Sequence, residues 1–509
     1  MVNRKSPTNM AGYNRRTFLK TAAVGVGSFA LASVSTAKKS VANRANILFA
    51  FADDWGWPHA GVYGDTTVKT PVFDRIAKEG VLFTHAFVSS PSCTPCRGSL
   101  LTGQHFWRLG HGANLHSTLP AEIPVYPELL PQAGYFVGYT GKGWGPGRRD
   151  GRKQNPAGPN FKNFEQFLRQ RSKGRPFCFW FGSKDPHRGY DTDLQKKMGI
   201  DPNDVQVPPF FPAVAAVQKD IADYYAEVQR FDSDVGQLIG RLEQIGELDN
   251  TIVVVSGDHG MPFPRCKTNL YDCGVRVPLA IRWPEKVKAG RRVSDLVSLT
   301  ELAPTFLEIA GVAIPEQMTG RSLLSILTSD KQGLVDSRRD CVFFGRERHC
   351  PCQEKPTSGG YPMRAIRTHD YLYIRNFLPQ RWPAGTPEYE RAYKDKGWLG
   401  DCDNGPTKYY MWANRFDPKV KPLYELAFAK RASEELYDLK ADPHQMRNVA
   451  GESAYMQART ELSKKLMDEL RRTHDPRVLG QGERFDLYPY YGGIPRWPGH
   501  ETMDKYRNQ

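Results

Sequence analysis

The sequence predicts an α/β fold: a mostly parallel sheet sandwiched by helices, followed along the chain by a smaller α+β domain. Three observations predict it. Short apolar runs at 46–51, 135–140, 177–181 and 251–256 read as buried strands, each ending in a polar turn. Helical patterns lie between them, and strands alternating with helices imply a sheet covered on both faces. From about residue 336 the texture changes to hairpin-like alternation. Ligands of such sheets gather beyond the carboxyl ends of the strands, and most of the chemically suggestive residues follow one of these runs.

Residues 1–37 read as a leader. Asn14-Arg15-Arg16-Thr17-Phe18-Leu19-Lys20 precedes a mildly apolar, Gly/Ala-rich run at 21–37 that ends in Ser35-Thr36-Ala37. The segment resembles a twin-arginine export signal. Gly25, Gly27, Ser28, Ser33 and Ser35 interrupt the run, whereas a membrane span needs roughly 20 strongly apolar residues. The expected location is the periplasm or the cell exterior, with no stable membrane insertion. The catalytic α/β domain is expected over 44–335. Its clearest helix carries Ile221, Tyr224, Val228, Phe231, Val235, Leu238, Leu242 and Ile245 at spacings of three and four, closing at Gly246. The α+β domain is expected over 336–480. There 364–367 and 371–375 flank Thr368-His369-Asp370 like a hairpin, and 435–439 reads as another strand. A last helix carries Tyr455, Ala458, Leu462, Leu466 and Leu470 on one face. The tail at 481–509 reads as irregular, and the Pro/Gly-rich stretches at 143–158 and 379–386 as surface loops.

With 509 residues, 40% hydrophobic and 25% charged, the chain is long enough for a large core and two or three domains. Subtracting the five leader cations Arg4, Lys5, Arg15, Arg16 and Lys20 from the formal +15 leaves +10. That surplus favours polyanionic partners. A sulfated glycan and a nucleic acid would both satisfy it, but there is no zinc-finger spacing, no aromatic-basic ribonucleoprotein motif and no long basic run, so no nucleic-acid partner is expected. Nine cysteines are too few for a disulfide-built scaffold, although an oxidising destination permits bridges whose pairing stays open. Cys350-Pro351-Cys352 lacks the two-residue spacer of a redox or zinc motif.

Cys93-Thr94-Pro95-Cys96-Arg97, followed by Gly98-Ser99-Leu100-Leu101-Thr102-Gly103, places a thiol at a helix start with an arginine four positions on. Pro95 suits the first helical turn, and the unpaired amides and dipole of that turn attract negative charge. Taken alone, the same residues also suit an ordinary buried cysteine. Asp53-Asp54 follows the first strand, and Asp258-His259-Gly260 follows the strand ending at Ser256. Adjacent aspartates by themselves are commoner as solvated turns. Two carboxylate clusters at equivalent strand ends instead suit a hard cation.

These motifs are joined by Gly61-Val62-Tyr63-Gly64, Thr70-Pro71, the run at 74–83, Gly141-Lys142 and Asp185-Pro186-His187-Arg188. Together they resemble the type I, formylglycine-dependent sulfatases, whose fold is alkaline-phosphatase-like. Asp258-His259-Gly260-Met261-Pro262-Phe263-Pro264 with Lys267-Thr268-Asn269-Leu270-Tyr271, Tyr361-Pro362-Met363-Arg364, and Glu435-Leu436-Tyr437-Asp438 with Asp442-Pro443-His444 look like the heparan N-sulfatases (N-sulfoglucosamine sulfohydrolases) more than generic arylsulfatases. The resemblance covers 44–480.

It implies that a formylglycine-generating maturation enzyme oxidises Cys93, and that one hydroxyl of the hydrated aldehyde attacks sulfur while the other later expels sulfate. It implies calcium held by Asp53, Asp54, Asp258 and the side chain at 259, with the modified Cys93 completing the site. Arg97 would position the nucleophile, and Lys142 and Lys267 would clamp sulfate. His187 would protonate the leaving amine or hydroxyl, where charge builds as the bond to sulfur breaks. The substrate implied is the N-sulfate of glucosamine in a heparan-type glycosaminoglycan. Arg346 and His349 lie where an accessory domain closes over a sugar and are expected to contact an acidic saccharide.

Two departures stand out. The family's usual asparagine is His259, a less natural calcium ligand than an amide oxygen. The histidine that many sulfatases carry two positions after the Gly-Lys lysine is Trp144, which leaves His105, His111, His116, His259 and His349 as candidates for its place. The alternatives are a carbohydrate O-sulfatase, a phosphodiesterase or phosphonate hydrolase, and a catalytically silent glycan-binding protein.

Overall fold

The computed structural model describes residues 44–354, 359–388, 399–493 and 500–507, and the expected export leader lies outside them. The larger sheet contains β1 (Asn46–Ala52), β2 (Val81–Phe87), β3 (Phe136–Gly141), β4 (Phe177–Gly182), β5 (Thr251–Gly257), β6 (Arg276–Arg282) and the short β7 (Arg291–Val293) and β8 (Val297–Ser298). Its order is β8–β2–β6–β5–β1–β4–β3, with β7 also on β2. The four strands expected from the apolar runs are present. Two were not legible as strands: β2, and β6 with its arginine at each end. β6 pairs antiparallel with both β2 and β5, while the other pairs are parallel.

β1 is buried along its whole length, and successive side chains point to opposite faces. Ile47, Phe49 and Phe51 enter one core, whereas Leu48, Ala50 and Ala52 enter the other. Helices α1 (Pro71–Glu79), α2 (Cys93–Thr102), α3 (Ala215–Gln244) and α4 (Leu302–Ala310) cover the two faces. α2 and α4 pack on the Phe49 side, and α1 and α3 on the Leu48 side. The expected stripe of α3 is buried at Ile221, Tyr224, Val228, Phe231, Val235 and Leu242, with Ile239 rather than Leu238 completing it. β1 and β5 pair residue for residue from Asn46↔Thr251 to Ala52↔Gly257. The two strands therefore end level, and Asp53 and Asp258 emerge side by side.

The second sheet is antiparallel, ordered β9 (Val342–Arg346), β10 (Met363–Arg367), β11 (Tyr371–Asn376), β12 (Glu434–Asp438). The expected hairpin is β10–β11, and α5 (Met456–Arg472) lays Leu462, Leu466 and Leu470 inward. The described residues form one compact unit, and Phe344, Met363 and Leu436 of the second sheet share a core with Phe87 of the first. An ion pair of 3.0 Å from Arg367 to Asp272 joins the sheets. The stretch at 379–386 departs from the surface loop expected: Pro383 to Thr386 are buried, because this connection folds back under the β9–β10 loop and its Pro383 carbonyl accepts from Arg346. All nine cysteines are free thiols. Among the described residues no helix is long and apolar enough to cross a membrane.

Candidate active site

Cys93 is the first residue of α2, a helix buried at every position. Ser92, the residue before it, turns its hydroxyl to His349 Nδ1 at 2.8 Å rather than back to the helix. Pro95 lies in the first turn, where no backbone donor is needed. The Cys93 sulfur sits 3.3 Å from His259 Nε2 and 3.6 Å from Asp53 Oδ1. Burial pushes this thiol well above the ordinary cysteine range, with Lys142 opposing. At neutral pH it is protonated, and a protonated thiol is a poor nucleophile.

Arg97, one turn along α2, knits the strand ends together. Its Nε donates to Asp258 Oδ2 at 2.9 Å, Nη2 approaches Asp53 Oδ1 at 3.4 Å, and Nη1 donates to the Lys142 and Gly143 carbonyls at 2.9 and 3.1 Å. Asp258 Oδ1 accepts the backbone N–H of Asp54 at 2.8 Å. Asp54 itself is held at a φ of 76°, the left-handed region that costs a non-glycine residue about 1 kcal/mol or more and that recurs at functional sites.

Lys142 enters from the β3 end. The Gly141-Lys142 motif has a packing reason: a Cβ on Gly182 would fall 1.8 Å from the Lys142 carbonyl, and one on Gly141 would fall 2.1 Å from the Gly182 carbonyl. Only two glycines let β3 and β4 close this tightly. Lys142 Nζ then lies 2.6 and 2.5 Å from the two Asp53 oxygens. Burial works against the Asp53 carboxylate, but Lys142 and Arg97 prevail and hold it well below the usual range. Lys267 Nζ meets Asp54 Oδ2 at 2.9 Å and Asp403 Oδ2 at 2.9 Å. Here too burial is outweighed, and the two carboxylates keep the ammonium charged.

The cation site expected here fits the residues present. One atom from each of Asp53, Asp54, Cys93 and His259 lies within 4.8 Å of the others. His259 Nδ1 faces the Gly260 carbonyl at 3.1 Å, which assigns the ring proton to Nδ1 and leaves a lone pair on Nε2. That nitrogen points at Asp54 Oδ1 across 3.3 Å, and this oxygen is buried without a hydrogen bond. Two electron-pair donors turned toward one point are what a metal ion requires. Asp258 stands slightly apart, its Oδ1 3.5 Å from His259 Nε2 and its other oxygen on Arg97.

His187 follows β4, its Nδ1 on the Arg188 carbonyl at 2.5 Å, within electrostatic reach of Asp53, Asp54 and Asp403. Burial and Lys267 hold His349 well below the usual histidine range, so it stands neutral at the site. Arg346 does not reach a ligand as expected. It is fully buried, donating to the Thr268 and Pro383 carbonyls and pairing with Asp401 at 2.8 Å. It acts on the site indirectly, by holding Thr268, next to Lys267, and Asp401.

Trp144 also turns away, buried against α2 beside Gly98. Of the five histidines considered for its place, His105 stacks on Trp107 and His111 on Tyr488, away from the nucleophile. His116 reaches Lys142 electrostatically from the rim. His259 and His349 are at the site. Asp403, Asp401 and Ser92 were missed, and no spacing in Asp401-Cys402-Asp403-Asn404 marks them.

The sulfatase family model matches residues 45–153 and 153–312, and a model described as N-sulphoglucosamine sulphohydrolase, C-terminal, matches 257–379. Human N-sulphoglucosamine sulphohydrolase is 30% identical over 488 residues, 86% of this chain and 92% of the relative. An N-acetylglucosamine-6-O-sulfatase of Bacteroides thetaiotaomicron is 24% identical, covering 90% and 93%. A solved structure in complex with its substrate D-glucosamine-2-N,6-O-disulfate superposes with a TM-score of 0.59 at 21% identity, over 85% of this chain and 98% of that one, a likeness of fold. On the model match, the human relative and the shared architecture, this chain belongs to the sulfatase family.

Proposed function

We propose that this sulfatase removes the N-sulfate of glucosamine from heparan-type saccharides, using a formylglycine made from Cys93. The observation that carries the reading is the position of Cys93: a buried first-turn residue with Arg97, Lys142, Lys267, two aspartates and His259 converging on it. The human relative and the match over 257–379 favour the amide-type sulfate.

The residues divide the work. Lys142, paired with Asp53, and Lys267, paired with Asp54, turn their ammonium groups onto the negative charge of the sulfo group. Arg97 keeps the two aspartate-bearing strand ends and the Lys142 loop at fixed distance from residue 93. His187 delivers a proton to the leaving atom. Asp53, Asp54 and His259, with Asp258 behind them, would hold a divalent cation, which when bound would supply further positive charge against the sulfo group. His349, neutral and held by Ser92, the residue before 93, accepts a proton there in this reading.

A second reading, hydrolysis of a carbohydrate O-sulfate, has the Bacteroides relative in its favour. Protein co-produced with a maturation enzyme tests both. Peptide mass spectrometry across Cys93 is expected to show the aldehyde, and sulfate release is expected from N-sulfoglucosamine in preference to 6-O-sulfated N-acetylglucosamine. An unconverted thiol in protein that still releases sulfate would remove the formylglycine mechanism.

A further inference from the structure

Asp403 is a carboxylate that the sulfatase motifs of this chain do not include. Its Oδ2 lies 2.9 Å from Lys267 Nζ, yet that ammonium already has Asp54 Oδ2 at 2.9 Å. The two carboxylates share that ammonium, and Asp403 acts on it the more strongly of the two. Oδ2 is buried, but the side chain as a whole keeps 23% of its exposure against 3% for Lys267, which leaves the rest of the carboxylate open to a ligand. A fixed carboxylate beside a lysine expected to clamp a sulfo group repels that group and must be offset by a donor on the substrate.

The chain holds Asp403 firmly. It lies on a strap, 399–408, within the long connection between β11 and β12. Asp401 accepts from Arg346 Nη2 at 2.8 Å and from the Cys350 N–H at 2.7 Å. Lys408 Nζ, buried, donates to the Leu399 and Cys402 carbonyls at 2.9 and 2.6 Å and to Asn404 Oδ1 at 2.9 Å. Thr407 donates through its N–H and hydroxyl to Asp220 Oδ2 at 3.1 and 2.7 Å. That same carboxylate grips Arg188, next to His187, at 2.7 and 2.9 Å. Asp403 and the proton donor are thereby set against one shared anchor, and Lys267 holds the Asp403 carboxylate in its charged form.

We infer that Asp403 accepts a hydrogen bond from the nitrogen that bears the sulfo group, making the site select sulfamates over sulfate esters. The inference rests on the proposed N-sulfate reading. In a sulfamate, R–NH–SO3⁻, the bridging nitrogen carries a hydrogen. The bridging oxygen of an ester presents only lone pairs, which a carboxylate repels. As the S–N bond breaks, its electron pair passes to nitrogen, His187 supplies a proton, and sulfur is taken by the oxygen nucleophile. The amine then gains a second proton from water and leaves as an ammonium beside the Asp403 carboxylate. An alcohol leaving group gains nothing there.

The test uses the mature, Cys93-converted protein. Asp403→Asn is expected to lower kcat/KM for N-sulfoglucosamine by about 30-fold or more beyond whatever loss it causes on 4-nitrophenyl sulfate through Lys267, the asymmetry expected where a buried acceptor loses its donor. Asp403→Glu should recover part of the loss. Equal losses on both substrates would overturn the inference. A measurement on the wild-type protein covers a variant that fails to fold: glucosamine should inhibit at least about tenfold more tightly than glucose, and equal inhibition would also overturn it. A wild-type protein that cleaves esters but not N-sulfoglucosamine sinks the substrate reading itself. That outcome differs from one in which wild type and Asp403→Asn cleave the sulfamate equally.

Discussion

Arg97 shows what a single residue does here. Its planar fork reaches Asp258, Asp53 and two carbonyls at once, and an ammonium on a flexible stem cannot copy that geometry. Arg97→Lys is therefore expected to lower kcat/KM by about 100-fold or more despite keeping its charge, and to lower stability by about 2 kcal/mol or more because buried acceptors lose their donors. Sulfate release and urea unfolding measure the two effects; activity within a few-fold of wild type would show that charge alone suffices. Cys93, Asp53, Asp54, Asp258 and Lys142 were legible because each follows directly on a strand or begins a helix. Arg346 was misread: Arg346-Glu347-Arg348-His349 has the composition of a solvated loop, yet Arg346 pairs with Asp401, and Glu347 pairs with Arg364 and Arg477. Charge spacing does not say whether partners await elsewhere in the chain.

Among the elements, the level endings of β1 and β5 bring two aspartate clusters together, and the junction of the two sheets seats the 399–408 strap over them. Asp272, at the entrance to β6, is the charge that joins the sheets, through Arg367 at 3.0 Å on both carboxylate oxygens. Burial raises its carboxyl pKa, but Arg367 and Arg276 more than reverse that and hold it below the usual value. A carboxylate with a folded-state value below its unfolded one stabilises fully above about pH 4 and loses that stabilisation as pH falls through the depressed value. Asp272→Asn is thus expected to cost about 3 kcal/mol at pH 7, with the gap to wild type narrower at about pH 3. Urea midpoints at the two pH values check this. A gap that stays constant would mean that shape, not charge, joins the sheets.

For the molecule as a whole, the surplus of 70 basic over 55 acidic side chains sets the encounter with substrate. Long-range attraction of a sulfated oligosaccharide is screened over about 8 Å at physiological ionic strength. kcat/KM is expected to fall several-fold between about 20 and 200 mM NaCl with kcat nearly constant. Steady-state kinetics on a sulfated hexasaccharide would show it, and a salt-independent kcat/KM would confine recognition to the pocket.

The amino-acid order by itself determined the alternation of strands and helices, the helix that begins at Cys93 and the residues that end β1 and β5. Each of these depends on hydrophobic period or on neighbours within a turn or two. Only the tertiary structure decided that Trp144 faces the core, that Arg346 is a buried tie, that His259 turns Nε2 inward and that Asp403 lies beside Lys267. Lys267 and Asp403 stand 136 positions apart, and no local pattern encodes a contact that exists only after two sheets have packed and a strap has folded back between them.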